Sequence, residues 1–333
     1  MKVLVAGDHF VTPELVVSAL RAQVPADLDV TTLMSAWPYE PFGPVGEVDE
    51  ALGDEDELLA ALAGVQVAVT QMAPFTSRVL AAADALRLVV CARGGPVNVN
   101  VAAAERLGIA VRSTPGRNAV AAAEHTVALL LAALRRIPET HATVRAGEWR
   151  SDLYALQECG SELAGTTVGL VGYGAIGARV ARVLRAFDAE VLVHDPYAAP
   201  DPTVTFVDDL AELLGRSRVL SLHARLTEET RGIVDRTALD RLPDGAVLVN
   251  TARGALVDYA AVVDALESGR LGAAAFDVFE VEPIPAGSRL LTAPNVVLTP
   301  HLAGATVQTA RRAATLAAAA VADYARETLP VSP

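Results

Sequence analysis

The chain has 333 residues, 52% of them hydrophobic, and a formal net charge of −13 at pH 7. This length suits two domains with sizeable cores, and the acidic balance argues against nucleic acid or an anionic membrane as a partner. Two cysteines, Cys91 and Cys159, have no metal-ligand or redox spacing, so the expectation is a metal-free cytoplasmic protein with reduced thiols.

Met1 to Asp8 is too short for the apolar core of a secretion signal and reads as a first strand. From there to about residue 115, strands are predicted at Lys2–Ala6, Val65–Thr70, Leu86–Ala92 and Ile109–Arg112. Helices are predicted at Pro13–Gln23, Asp54–Ala63, Ser77–Ala83 and Val99–Leu107, the first with Thr12 as N-cap before a proline. The alternation predicts a parallel sheet with helices on both sides. Ala36–Pro44 is a proline-rich loop. The segment Cys91–Asn98 follows a predicted strand, where open α/β sheets take ligands. There Arg93, Gly94 and Gly95 could meet a substrate carboxylate, or form only a turn beside a solvated arginine.

Thr114–Arg117 reads as an interdomain hinge, followed by one apolar helix, Ala119–Arg136. That helix is short of the ~20 residues needed to cross a bilayer. A polar connector containing Gly147–Arg150 comes next, and Trp149 and Tyr154 read as packing residues rather than substrate contacts.

The stretch from Thr167 to Asp195 organises the rest. An apolar strand, Val168–Val171, leads into Gly172-Tyr173-Gly174-Ala175-Ile176-Gly177, then an amphipathic helix with Val180, Val183, Leu184 and Phe187 at helical spacing. A second strand, Glu190–His194, ends at Asp195. In such a unit Gly172 makes the tight turn, Gly174 lets a pyrophosphate approach and Gly177 lets helix and strand pack closely. The N–H groups of the helix start, at Ala175 and Ile176, hold phosphate, and Asp195 bonds the adenosine ribose. A carboxylate there repels a 2′-phosphate, and Pro196–Ala199 offers no arginine to receive one, so NAD is favoured over NADP.

Further strands are predicted at Val219–His223, Ala246–Asn250, Ala274–Val278 and Val296–Thr299, and a last alanine-rich helix at about Thr306–Thr328. That helix is expected to return to the N-terminal domain. Three strand ends carry reactive side chains: Arg253, Glu282 and His301. If a bound dinucleotide delivers hydride to a carbonyl carbon, the charge left on oxygen needs a proton donor within reach. Histidine titrates nearest neutral pH, a carboxylate beside it favours the imidazolium, and arginine grips a carboxylate bidentately.

With Gly172–Gly177 and Asp195, the runs Asn250–Asp258 (NTARGALVD), Phe276–Pro283 (FDVFEVEP) and Pro300–Thr306 (PHLAGAT) resemble the D-isomer-specific 2-hydroxyacid dehydrogenase family over nearly the whole chain. The resemblance implies that Arg253 binds the substrate carboxylate, that His301 is the acid/base and that Glu282 is its partner. It makes His223, Ala224, Thr251 and Ala252 cofactor neighbours, and it implies a homodimer. The expected fold is α/β with two doubly wound parallel sheets. A Rossmann NAD-binding domain (117–301) is inserted in a flavodoxin-like substrate domain (1–116 and 302–333), with a cleft between them. The expected substrate is a small anionic 2-hydroxy or 2-keto acid. A dinucleotide-sensing corepressor-like protein and a phosphite or formate dehydrogenase are the alternatives, the last disfavoured by Glu282. Arg93-Gly94-Gly95-Pro96 and Ala224-Arg225 depart from the family pattern, which favours a substrate with an extra polar or anionic group. No regulatory domain is expected after residue 333.

Overall fold

The computed structural model describes residues 1–25 and 27–328, so that 329–333, the end of the expected substrate-domain segment, lies outside the described residues. The chain divides into two compact units, Met1–Asn118 with the chain from Ala305 on, and Ala119–Gly304.

The first unit contains β1 (Lys2–Gly7), α1 (Pro13–Gln23), β2 (Asp29–Met34), β3 (Gly43–Val45) and β4 (Val48–Ala51). It continues with α2 (Glu55–Ala61), β5 (Val67–Thr70), α3 (Ser77–Ala82), β6 (Leu88–Cys91), α4 (Val101–Arg106) and β7 (Ala110–Ser113). Its main sheet runs β2-β1-β5-β6-β7 with every pair parallel. Setting the β3–β4 hairpin aside, this is the flavodoxin-like order 2-1-3-4-5. Val3, Leu4, Val5, Leu88, Val89 and Val90 are fully buried, as strands covered on both faces must be. Burying each such side chain contributes about 1.5–3 kcal/mol.

Capping sets the helix starts. Asp54 accepts from the N–H groups of Asp56 and Glu57, and Asn100 from Ala103. Both therefore lie outside the helices that the sequence began at Asp54 and Val99. The strand β2 and the hairpin had no counterpart among the predicted elements. The β2 sequence DVTTLM is a sheet-edge strand with mostly exposed side chains, so no apolar run marks it.

The second unit opens with α5 (Ala119–Leu134) and α6 (Ile137–Arg145). Here the expectation of one helix to Arg136 followed by a polar connector is corrected. Arg136 turns left-handed, at φ 52°, and α6 occupies the start of the connector. Pro138 explains the break, since proline cannot continue a helix but fits its first turn. Trp149 and Tyr154, read from the sequence as packing residues, are 83% and 93% exposed. They belong to a stretch with almost no buried residue between Ala146 and Gly160.

Then follow β8 (Thr167–Val171), α7 (Gly177–Ala186), β9 (Glu190–His194), β10 (Thr205–Phe206), α8 (Leu210–Arg216) and β11 (Val219–Leu222). The unit closes with α9 (Arg236–Arg241), β12 (Ala246–Asn250), α10 (Tyr259–Glu267), β13 (Leu271–Phe276) and β14 (Val296–Leu298). Its seven strands run β10-β9-β8-β11-β12-β13-β14, all parallel. This is the doubly wound 3-2-1-4-5-6 order with one strand added. The last helix, α11 (Val307–Thr328), packs in the first unit, where Ala313, Ala314, Ala317, Ala318 and Val321 join Val16 and Leu20 of α1 in one core. Arg112 of β7 pairs with Glu327 at 2.7 Å and donates to the Ala320 carbonyl. Among the described residues no helix is long and apolar enough to cross a membrane.

Candidate active site

The topological switch of the second sheet lies between β8 and β11, and the glycine turn sits there. Gly172 has φ +100°, and a Cβ on it would come within 2.6 Å of the Ala224 nitrogen and the His223 carbonyl carbon. A Cβ on Gly177 would overlap the Gly172 carbonyl, whereas one on Gly174 would meet nothing within 4 Å. Two glycines are thus demanded by the protein's own packing, and the third leaves backbone open to a ligand, which suits a pyrophosphate. No side chain caps α7 at Ile176, so the helix start keeps N–H groups for an anion. Phe187, counted above on the apolar face, ends α7 and is exposed; Val180 and Leu184 carry the burial.

Asp195 follows β9 and accepts from the N–H groups of Tyr173 (2.7 Å) and Tyr197 (2.9 Å). These bonds hold its carboxylate beside the glycine turn. His223 and Ala224 lie against Gly172. The Nε2 of His223 bonds Ser221 Oγ at 3.0 Å, and burial pushes its pKa down to about 4. It is therefore neutral at pH 7.

Glu282 and His301 meet beyond the ends of β13 and β14. Glu282 Oε2 lies 2.7 Å from His301 Nδ1, and Glu282 Oε1 accepts from the Phe279 N–H at 2.8 Å. An ionised carboxylate only accepts, so Nδ1 carries the hydrogen and Nε2 is left free for chemistry. The hydrogen bond to Glu282 raises the His301 pKa above its ordinary value; burial and the charge of Arg253 oppose this. Burial would raise Glu282, but the His301 bond and charge and the Phe279 N–H outweigh it and lower its pKa. Arg253 is exposed and close enough for its charge to act on His301.

The turns that carry these groups are fixed mainly by residues given no role above. Buried Asn250 donates to the Arg253 carbonyl at 2.9 Å and accepts from the Ala252 N–H at 3.0 Å, which locks residues 250–253. Thr251 hydroxyl-bonds Thr126 at 2.6 Å. A Cβ on Gly254 would overlap the Phe279 carbonyl, so the Arg253 loop and the Glu282 loop approach backbone to backbone. His301 itself is left-handed, at φ 55°, a conformation that costs a non-glycine residue about 1–2 kcal/mol.

Asp277 offsets that cost. Fully buried just past β13, its carboxylate accepts from Thr299 Oγ1 (2.6 Å) and from the N–H groups of Leu302 (2.8 Å) and Ala303 (2.7 Å). Burial favours its neutral form, yet these donors and His125 hold its pKa below the usual value. Thr299 gives its one proton to Asp277, so the 3.0 Å contact with His125 Nε2 is donated by the imidazole. The FDVFEVEP run contains this aspartate, but a strand-end acid in sequence is silent on which N–H groups it collects.

In the first unit, Arg93 ion-pairs with Glu50 of β4, donates to the Glu50 carbonyl at 3.3 Å and lies 6.0 Å from the Phe42 ring centroid. Gly94 and Gly95 face open space. Cys91 and Cys159 are free thiols. Among the described residues no group of three His, Cys, Asp or Glu side chains could hold a metal ion.

Two doubly wound sheets, one with a glycine turn open to a pyrophosphate and an imidazole–carboxylate pair after other strands of the same sheet, define a dinucleotide-binding α/β protein. Residues 127–303 match the model of the D-isomer specific 2-hydroxyacid dehydrogenase NAD-binding domain. D-3-phosphoglycerate dehydrogenase of Mycobacterium bovis is 41% identical over 266 residues, which are 79% of this chain and 49% of that protein. Glyoxylate reductase of Aeropyrum pernix is 41% identical over 257 residues, 75% of this chain and 77% of the reductase. The crystal structure of the TT0316 protein of Thermus thermophilus superposes with a TM-score of 0.80 at 35% identity, covering 96% of this chain and 94% of that one. The chain belongs to the D-isomer specific 2-hydroxyacid dehydrogenase family. It spans about half the length of the phosphoglycerate dehydrogenases that it matches.

Proposed function

We propose that the protein is an NAD-dependent oxidoreductase that moves hydride between the nicotinamide and C2 of a small D-2-hydroxy or 2-keto acid. The 2.7 Å contact between Glu282 and His301 carries this reading, because it favours the imidazolium of His301 within the field of a guanidinium suited to a carboxylate. The bound dinucleotide supplies or takes the hydride. His301 Nε2 gives its proton to the oxygen that gains charge and recovers it in the reverse direction. Glu282 holds the ring by Nδ1 and supports the imidazolium, and Arg253 holds the substrate carboxylate. Gly172, Gly174, Ala175, Ile176, Gly177, His223, Ala224, Thr251 and Ala252 contact the dinucleotide, and Asp195 takes its ribose hydroxyls and selects NAD. Arg93, Gly94 and Gly95 supply further substrate contacts. In the same proposal the unit 119–304 is the NAD domain and the other unit the substrate domain. The protein acts in the cytoplasm as a homodimer, with exposed Trp149, Tyr154 and Leu156 offering apolar surface for a second copy to cover.

The test is NADH and NADPH oxidation with a panel of 2-keto acids; no turnover of any of them, or a preference for NADPH, would overturn the reading. Arg253→Lys is expected to act mainly on KM for the keto acid, raising it by about tenfold, since a lysine keeps the charge but loses the bidentate fork. Unchanged KM and kcat would remove Arg253 from the substrate.

The pH profile supplies a second check. Reduction needs protonated His301, so kcat/KM for the keto acid should fall as pH rises through a pKa above 6.5. Glu282→Gln removes the partner that raises this pKa, and the falling limb should move to lower pH. A limb that stays in place would separate Glu282 from the titration.

A further inference from the structure

Tyr259 opens α10, directly after its N-cap Asp258. The ring packs edge-on against Phe276 of β13 at a centroid distance of 5.1 Å and lies tilted against Phe279 at 6.1 Å. The hydroxyl donates to the carbonyl of Val278, a fully buried residue. A carbonyl only accepts, so the direction of that bond is fixed. Burial raises the Tyr259 pKa above its ordinary 10 against the opposing effect of Asn250, and the charges of Glu282 and Glu280 add to the rise. The phenol therefore keeps its proton throughout the neutral range.

The Val278 carbonyl and the Phe279 N–H belong to one peptide group. Tyr259 grips the carbonyl end, and the N–H end donates to Glu282 Oε1 at 2.8 Å. The other oxygen of that carboxylate, Oε2, lies 2.7 Å from His301 Nδ1. A peptide group is planar and rigid, so fixing its carbonyl also fixes where its N–H points. Hydrogen bonds in a chain polarise one another as well, which makes the N–H a better donor to the carboxylate. The segment 254–259 meets the segment 278–279 twice, once where Gly254 lies against the Phe279 carbonyl and once at Tyr259. The charged groups facing His301 are Glu282 and Asp277, which favour its imidazolium, and Arg253, which opposes it. The peptide held by Tyr259 acts on Glu282.

We propose that Tyr259 is a positioning residue for the acid–base pair: its hydroxyl orients the Val278–Phe279 peptide, whose N–H holds Glu282 against His301. This role rests on the reading of His301 as the acid–base group, and Tyr259 itself transfers no proton. In a Tyr259→Phe variant the aromatic packing stays, but the Val278 carbonyl loses its partner and the peptide is free to tilt. The N–H then releases Glu282, the carboxylate leaves its contact with Nδ1 for part of the time, and His301 loses part of the interaction that favours its charged form.

The test is NMR titration of the His301 imidazole in the full chain without dinucleotide or substrate, the resonance being assigned by its loss in His301→Gln. Tyr259→Phe is expected to lower the His301 pKa by about 0.5 unit, a fraction of the ~1–3 units that a close opposite charge supplies, and Glu282→Gln to lower it further. The falling limb of kcat/KM should move down with the Tyr259→Phe titration. Residues that act through one another are non-additive, so adding Tyr259→Phe to Glu282→Gln should change the pKa by less than ~0.2 unit. The proposal fails if Tyr259→Phe lowers only the melting temperature and leaves the titration in place, if it raises the pKa, or if its shift persists in full in the Glu282→Gln background. Shifts that hold in a protein that turns over no 2-keto acid would overturn the proposed reaction and keep the positioning role. Turnover with an unmoved titration would do the reverse.

Discussion

Replacing His301 by glutamine is expected to lower kcat at least ~100-fold, the scale of general acid–base catalysis, and to leave NADH affinity nearly unchanged. Glutamine keeps a polar side chain that can still meet Glu282, so the loop should retain its shape. It offers no proton that titrates near neutral pH. The imidazole loses this role at Nε2 alone, because Nδ1 is committed to Glu282 at 2.7 Å. Both His301 and its replacement must occupy the left-handed backbone at residue 301, so the melting temperature should change little. Steady-state rates with NADH titration by fluorescence measure both sides of the prediction. Retained turnover would take the proton transfer away from His301. Lost turnover together with lost NADH affinity would place the histidine in cofactor binding instead.

What the sequence disclosed and what it withheld divide along a physical line. The buried parallel strands are continuous apolar runs, and β1, β5, β6, β8, β9, β11 and β12 all fall within or close to their predicted bounds. The glycine turn is legible because Gly172 and Gly177 are each demanded by a close backbone approach that any side chain would obstruct. Edge elements are different. The strands β2 and β3 have no buried residue and β4 only Val48 and Ala51, so no pattern of apolar residues betrays them. Likewise α6 hides behind Pro138, which reads as a breaker until it is seen to start a helix. The supporting polar groups were the least visible. Asn250 and Asp277 work by collecting backbone N–H groups, and Thr299 by linking Asp277 to His125, across loops that only the fold brings together. Arg93 illustrates the converse, since its pairing with Glu50 depends on a hairpin that left no trace in the sequence pattern.

Asp277→Asn should therefore be nearly as damaging as loss of the histidine, although residue 277 transfers no proton. The carboxylate accepts three hydrogen bonds, from Thr299, Leu302 and Ala303. An asparagine can accept only through Oδ1, and its amide N–H would then face the Ala303 N–H in a buried site. One orphaned donor of this kind costs about 1–3 kcal/mol, a fall in melting temperature of about 2–4 °C per kcal/mol for a domain of this size. The pH dependence follows from the sign of the shift. A carboxyl whose pKa is lowered on folding stabilises above its unfolded value, 3.8, and that stabilisation fades as pH drops through the lower folded value. The deficit of the variant should accordingly be full at pH 7 and shrink towards pH 3. Catalysis should suffer separately. The N–H groups of Leu302 and Ala303 tie down the residues directly after His301, and a misplacement of about 1 Å can cost ~100-fold in rate. Thermal melts across pH, with kcat measured well below the melting temperature, test both halves. A variant with native kcat and native stability at pH 7 would show that the left-handed turn at His301 holds its shape without the carboxylate.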